Sequence, residues 1–504
     1  MKSLRTLCAC ALAASLLIGC GAQPAAEPEG SASETEATEA EATETQETAD
    51  LTLAEPQQGD STLSYTTVTE GFDWGPAITK VVLDAGADVD PASLATDLFK
   101  VSSERIFVGT DWTTFENYAA DEVVEREVTG VYVSDAEGNQ ADSGQYVTIE
   151  MAVHPDKAEG SPFNYDLASG FNTYVTTNYI ISLAEGKTLQ AADGSEIVVG
   201  TTGYNNYAGN ATLVADDFDL TGVYTEGDVE LHYASYLPEG AQEGKTPLII
   251  WLHGAGEGGT NPTIALVGNE VVSLAREDIQ GCFGETGAAV LVPQAPTFWM
   301  DDGTGNYIQY DNPDAWDTYY SEPLMNLIKS YVDNTPEIDP NRVYLGGCSN
   351  GGYETVNLII KYPGYFAAAW PCAEAYAKTW LTGEKIAAIK DTPIWLTASK
   401  TDSDVFIYEG EVQPDFSYVL KLDEDGNPIP IDDFSNALYD QLVAAGASNV
   451  HYTLLDAVID TNGYVDGEGK PYEYNGHWSW VYALNNECEE NGVTLFQWMA
   501  EQSK

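Results

Sequence analysis

The chain has 504 residues, with 80 acidic side chains against 20 basic ones and a formal net charge of −60. That length accommodates two or three domains with cores of their own. A chain this acidic offers no basic patch to nucleic acid or to an anionic membrane face, which excludes both as partners held by charge. The acidity reads instead as solubility outside the cell.

Lys2 and Arg5 precede a short apolar run over residues 7–18. The run is too short to remain in a bilayer as a spanning helix and has the pattern of an export signal. Leu17-Ile18-Gly19-Cys20 follows and resembles the lipobox of bacterial lipoproteins. That resemblance implies cleavage before Cys20 and lipidation of its sulfur and its new N-terminus. Two or three acyl chains would then hold the protein to the outer face of the cell membrane. An ordinary secretory signal with an incidental cysteine is the alternative. Residues 21–60 contain eleven acidic residues and no basic one. Such a segment buries nothing and repels itself, so it is expected to be a disordered tether. Beyond Cys8, Cys10 and Cys20, the cysteines are Cys282, Cys348, Cys372 and Cys488. None has zinc-like or redox-like spacing. A disulfide is allowed in an exported protein, but the sequence does not pair these four.

Residues 61–215 read as β structure. Alternating or β-branched runs at 77–83, 122–128, 146–151 and 176–181 are separated by Gly, Asp, Asn and Pro clusters. Short strands over about 150 residues predict an immunoglobulin-like sandwich. Trp112 and Tyr207 are candidates for a sugar platform or for core packing, and His154 reads as a surface residue.

Residues 216–504 change rhythm. Strand patterns at 229–237, 247–252, 289–292, 343–345, 367–370, 393–397 and 450–455 alternate with helical patterns at 322–332, 353–361 and 434–445. This predicts a mostly parallel sheet with helices on both faces, and a site beyond the carboxyl ends of its strands. One strand runs into Gly347-Cys348-Ser349-Asn350-Gly351, a G-x-S-x-G pattern, with a helix directly behind it. In that context the serine sits on a tight turn with its hydroxyl clear of the sheet, so Ser349 is the candidate nucleophile. Cys348 beside it reads as a small packed residue. Another strand ends in His253-Gly254-Ala255-Gly256-Glu257. Backbone N–H groups there and behind the serine make Ala255 and Asn350 the candidate oxyanion donors. His253 itself reads as structural. The 393–397 strand leads to Asp402 and Asp404, of which Asp402 is preferred as the acid. Of the histidines that follow, His451 lies within a strand and His477 in a late loop, so His477 is the candidate base.

On the residues 252–257, 347–352, 393–405 and 476–480, the region from 216 onward resembles bacterial α/β-hydrolase esterases. These are the relatives of polyhydroxybutyrate depolymerases, feruloyl esterases and prolyl-oligopeptidase-like proteins. Residues 63–213 look like the immunoglobulin-like domain found ahead of some such esterases. The chain departs from the family's frequent His-Gly before the acid loop, having Ala398-Ser399 instead. The resemblance implies an acyl-enzyme mechanism through Ser349, Asp402 and His477, without metal or organic cofactor. Its substrates would be short acyl esters, or acetyl and feruloyl esters on polysaccharide. A prolyl-oligopeptidase-like peptidase would use the same residues, but the chain lacks the length of a β-propeller. A surface binding protein would have no use for them. Aromatic loops around Trp299 and Trp316, together with Trp478, are candidates for the substrate pocket or for loop packing. Residues 460–468 read as a hairpin turn rather than a calcium loop.

Overall fold

The computed structural model describes residues 51–504 apart from 112–115, 167–168 and 414–416. The export signal, Cys20, most of the tether and Trp112 therefore lie outside the described residues.

The first domain is a two-sheet sandwich. Five strands lie in the order Tyr207–Thr212, Ser64–Phe72, Gly75–Asp84, Tyr146–Met151 and Val128–Ser134. Three more, Glu116–Arg126, Phe99–Asp111 and Thr176–Leu183, form the second sheet. Val81, Leu83, Val147, Ile149 and Ile181 meet between the sheets, fully buried. The run at 122–128, expected as one strand, breaks at Glu127, where the chain crosses from one sheet to the other. Arg126 fixes that crossing. Its buried guanidinium donates to the Tyr179 hydroxyl at 2.6 Å, the Ile78 carbonyl at 3.1 Å and the Ala152 carbonyl at 3.2 Å. Tyr207 stays partly exposed, tilted against Tyr65.

The second domain is built on an eight-stranded sheet. Its strands are β1 (Asp219–Glu226), β2 (Val229–Tyr236), β3 (Thr246–Leu252), β4 (Ala289–Gln294), β5 (Ile338–Cys348), β6 (Ala368–Cys372), β7 (Ile394–Ser399) and β8 (Val450–Leu455). Their spatial order is β1-β2-β4-β3-β5-β6-β7-β8. β2 runs antiparallel to both β1 and β4, and every pairing from β4 to β8 is parallel. Covered on both faces, β3 and β4 are buried along their whole length. They therefore read as continuous apolar runs instead of alternating ones. The helical patterns become α1 (Ser321–Asn334), α2 (Asn350–Lys361) and α3 (Phe434–Ala444). His451 on β8 stacks on Trp395 at 4.7 Å and bonds Asn449 and Glu490, as a satisfied sheet residue would.

The two domains share an interface. Residues 459–473 form a hairpin-like arm, bridged at Ile459–Glu473 and Val465–Pro471. His154 is not free on the surface. Its Nε2 lies 2.9 Å from the Val465 carbonyl oxygen, and its ring meets Tyr464 and Tyr472 edge-on. The Tyr472 hydroxyl donates to Asp156 at 2.9 Å. From the sandwich, the turn at residues 72–75 reaches across. Asp73 accepts from Asn462 and Asn485 at 3.0 Å each, and Trp74 packs edge-to-face on Tyr464 at 4.5 Å.

Candidate active site

Ser349 stands between β5 and α2 with φ 54° and ψ −114°. An L-residue held at positive φ carries strain of about 1–3 kcal/mol, which the surrounding packing must offset. The packing is tight enough to do so: a Cβ on Gly351 would lie 2.0 Å from the Leu252 carbonyl oxygen. Only glycine lets the first turn of α2 approach the end of β3 so closely. That approach brings the loop after β3 beside the serine. His253 in this loop is buried, with Nδ1 2.5 Å from the Gly254 carbonyl oxygen and Nε2 accepting from Ala295 N–H at 3.0 Å. Burial lowers its pKa to about 4, so it is a neutral brace for the loop.

Ala255 and Asn350 are both buried, the first in the loop after β3 and the second at the start of α2. N–H groups in a first helical turn have no intrahelical acceptor. The Asn350 side chain turns away from the site and accepts from Met300 N–H at 3.2 Å. Cys348 is buried, and burial raises its thiol well above the ordinary range, which leaves it inert. Cys282, Cys348, Cys372 and Cys488 are all unbonded.

Asp402 and His477 meet as a pair. His477 Nδ1 lies 3.0 and 2.9 Å from the two Asp402 carboxylate oxygens. Asp402 Oδ1 also accepts from the N–H groups of Asp404 and Val405, at 2.9 and 2.8 Å. The two acids differ in role. Asp402 holds the imidazole, whereas Asp404 makes no hydrogen bond to it and is pushed up to about 6 by burial. The base loop is pressed on the acid loop, since a Cβ on Gly476 would lie 2.1 Å from the Thr401 carbonyl oxygen. Burial disfavours a charged His477, but the carboxylates of Asp402, Asp404 and Glu257 outweigh that effect and raise it to about 8. With Nδ1 turned to Asp402, Nε2 is the free basic nitrogen. His477 Nε2 and Ser349 Oγ are both buried and have no hydrogen-bond partner among the described residues.

Ser349, His477 and Ala255 line one cleft of about 80 Å³. Of the three tryptophans considered for its wall, Trp478 lines it. Trp299 is instead fully buried against His253, and Trp316 packs under the Lys385 ammonium at 3.6 Å. Residues that the sequence left unassigned take their place. Trp74, Phe163, Tyr165 and Asn172 come from the sandwich, and Glu257 comes from the loop after β3.

The sequence comparisons agree with this architecture. The family model described as Esterase Ig-like N-terminal domain matches residues 64–198, and that described as Esterase PHB depolymerase matches residues 231–410. The chain is an α/β-hydrolase esterase with an immunoglobulin-like N-terminal domain. A thermostable esterase of known structure superposes on it with a TM-score of 0.64 at 25% identity. That match covers 88% of this esterase and 100% of the other chain. The S-formylglutathione hydrolases of Rattus norvegicus and Bos taurus are each 28% identical to it, over 168 and 165 residues. Each alignment covers 29% of this chain and 54% of the relative, so the chain spans about half the length of the curated relatives it matches.

Proposed function

We propose that the esterase cleaves short acyl or carbohydrate-linked esters, acetyl and feruloyl esters among them, through Ser349, Asp402 and His477. The reading rests on the His477–Asp402 pair beside an unpartnered Ser349 hydroxyl in a single cleft. Ser349 Oγ attacks the ester carbonyl carbon as His477 Nε2 takes its proton. Ala255 and Asn350 N–H groups receive the oxyanion. The tetrahedral intermediate collapses, and the alcohol leaves with the proton from His477. Water, deprotonated by the same nitrogen, then attacks the acyl-enzyme and releases the acid. Asp402 holds the imidazole tautomer throughout. A cleft of about 80 Å³ flanked by Trp74, Tyr165 and Trp478 suits a short acyl group with a flat aromatic or sugar face beside it. The enzyme would act outside the cell, tethered through Cys20 and the acidic segment.

The test is hydrolysis of p-nitrophenyl acetate, butyrate and octanoate by the protein and by Ser349→Ala. The variant is expected to lose about 10⁴-fold or more in kcat. Activity should fall from acetate to octanoate. Retained activity in Ser349→Ala, with no labelling of the wild type by a fluorophosphonate, would sink the assignment. Cys20→Ala is expected to move the protein from the membrane fraction to the medium.

A further inference from the structure

Of the buried carboxyls in the cleft that acyl transfer leaves unused, Glu257 is the one in the oxyanion loop. Glu257 closes the short turn Ala255–Glu257 and is buried. Its Oε1 accepts from Asn172 Nδ2 of the sandwich at 3.2 Å. The Asn269 side chain and the Gly254 backbone also bond to the carboxyl. Its Oε2 lies 2.9 Å from the point where a Cβ on Gly254 would stand, and that point is 3.9 Å from the Ser349 Cβ. The carboxyl thus sits against the oxyanion loop, on the side of the nucleophile.

Neutral donors hold Glu257 in place. Among the described residues lining the cleft there is no Lys or Arg, while Asp73 and Asp404 add two further carboxyls. The titratable groups facing Glu257 are the His477 imidazole and the Cys348 thiol. We propose that Glu257 is a specificity-determining residue that makes the cleft reject esters with a negative charge near the scissile bond, and so selects uncharged or cationic esters. In the reactive enzyme, with His477 neutral, a substrate carboxylate would meet Glu257 out of water with no Lys or Arg among the described lining residues to compensate, an arrangement that is strongly disfavoured. The inference rests on the serine-esterase reading of this cleft. Burial pushes Glu257 up to about 7, so rejection strengthens as pH rises through that value.

The experiment compares wild type with Glu257→Gln on two matched pairs of esters. Methyl 4-acetoxybenzoate and 4-acetoxybenzoate differ by a charge on the alcohol side. Dimethyl succinate and monomethyl succinate differ by one on the acyl side. The readout is the ratio of kcat/KM for the anion to that for its neutral partner. General losses of activity and the protonation of His477 cancel in this ratio. At pH 8.5 Glu257→Gln is expected to raise the ratio about tenfold or more in at least one pair. At pH 5.5, with Glu257 protonated, the two enzymes should agree within about twofold. Equal ratios at pH 8.5 would overturn the proposal, as would a difference that is the same at both pH values, which marks a steric effect. Should the variant fail to fold, a wild-type ratio that does not fall between pH 5.5 and 8.5 overturns the proposal, and Asp404→Asn, which removes the other carboxyl titrating in that window, must leave the fall in place for the proposal to stand. Where turnover is slow, inactivation rates by a neutral and an anionic fluorophosphonate supply the same ratio. No turnover of the neutral esters and no labelling of Ser349 would overturn the esterase reading and this inference together. Turnover with unchanged ratios overturns the inference alone.

Discussion

The floor of the cleft and its far wall are built in opposite ways. The floor comes from three strand ends of one sheet, at His253-Gly254-Ala255, Ser349 and Asp402, with His477 pressed on the acid loop through Gly476. Each piece is local in sequence, and close backbone approach demands glycine at set positions. The far wall comes from the sandwich, through the turn carrying Asp73 and Trp74 and the hairpin Phe163–Asp166 and Phe171–Tyr174. No glycine or charge pattern marks those residues, because each meets the hydrolase domain across an interface. The residues of the proposed chemistry thus come from one domain, while the cleft is lined by two.

The largest effect that sharpens this contrast is expected at the floor. Asp402→Asn should lower kcat about 10³–10⁴-fold, as the imidazole loses its orienting carboxylate, whereas Asp404→Asn should cost less than about tenfold at pH 9. Reversed magnitudes in p-nitrophenyl acetate kinetics would reassign the acid. At the far wall, Trp74→Ala removes a ring stacked on Phe72 at 4.7 Å and set against Tyr464. An aromatic contact of this kind is worth about 0.5–1.5 kcal/mol beyond its buried area. The expected loss in kcat/KM for aryl esters is therefore about tenfold, with fluorophosphonate labelling of Ser349 retained. Complete loss of labelling would mean that the sandwich assembles the floor as well.

Smaller effects concern pH. His477 must be neutral to act as base, and its carboxylate neighbours raise it to about 8. The kcat/KM profile should therefore rise with pH to a midpoint near 8. Asp404→Asn removes one of those neighbours and should move the rise to lower pH. A profile that stays in place would separate Asp404 from His477. The smallest effect is on stability. Burial raises Glu257 to about 7 and Glu354 and Glu374 to about 8. Groups raised in the folded state stabilise it fully below their unfolded value of about 4.5, and that stability is lost as pH climbs through about 7–8. His253, lowered to about 4, works the other way only below pH 6.5. The Tm should thus fall between pH 6 and pH 9 in a thermal melt, and a Tm that rises would contradict the burial of these carboxyls.

The sequence by itself determined the class of fold and the elements of the floor. Continuous apolar runs marked β3 and β4 because strands covered on both faces cannot alternate. The G-x-S-x-G turn was legible because backbone atoms within about 2–3 Å of Gly347 and Gly351 admit only glycine. His477 was separable from His451 by its place in a loop. The tertiary structure alone decided the rest. It set Asp402, which the sequence already preferred, and not Asp404 against His477 Nδ1. It moved His154 into the domain interface, withdrew Trp299 and Trp316 from the pocket wall, and set Trp74 and Asn172 in their place. Backbone conformation and burial pattern leave a mark on nearby sequence. The direction a side chain faces across a domain boundary leaves none, because it is set by residues hundreds of positions away.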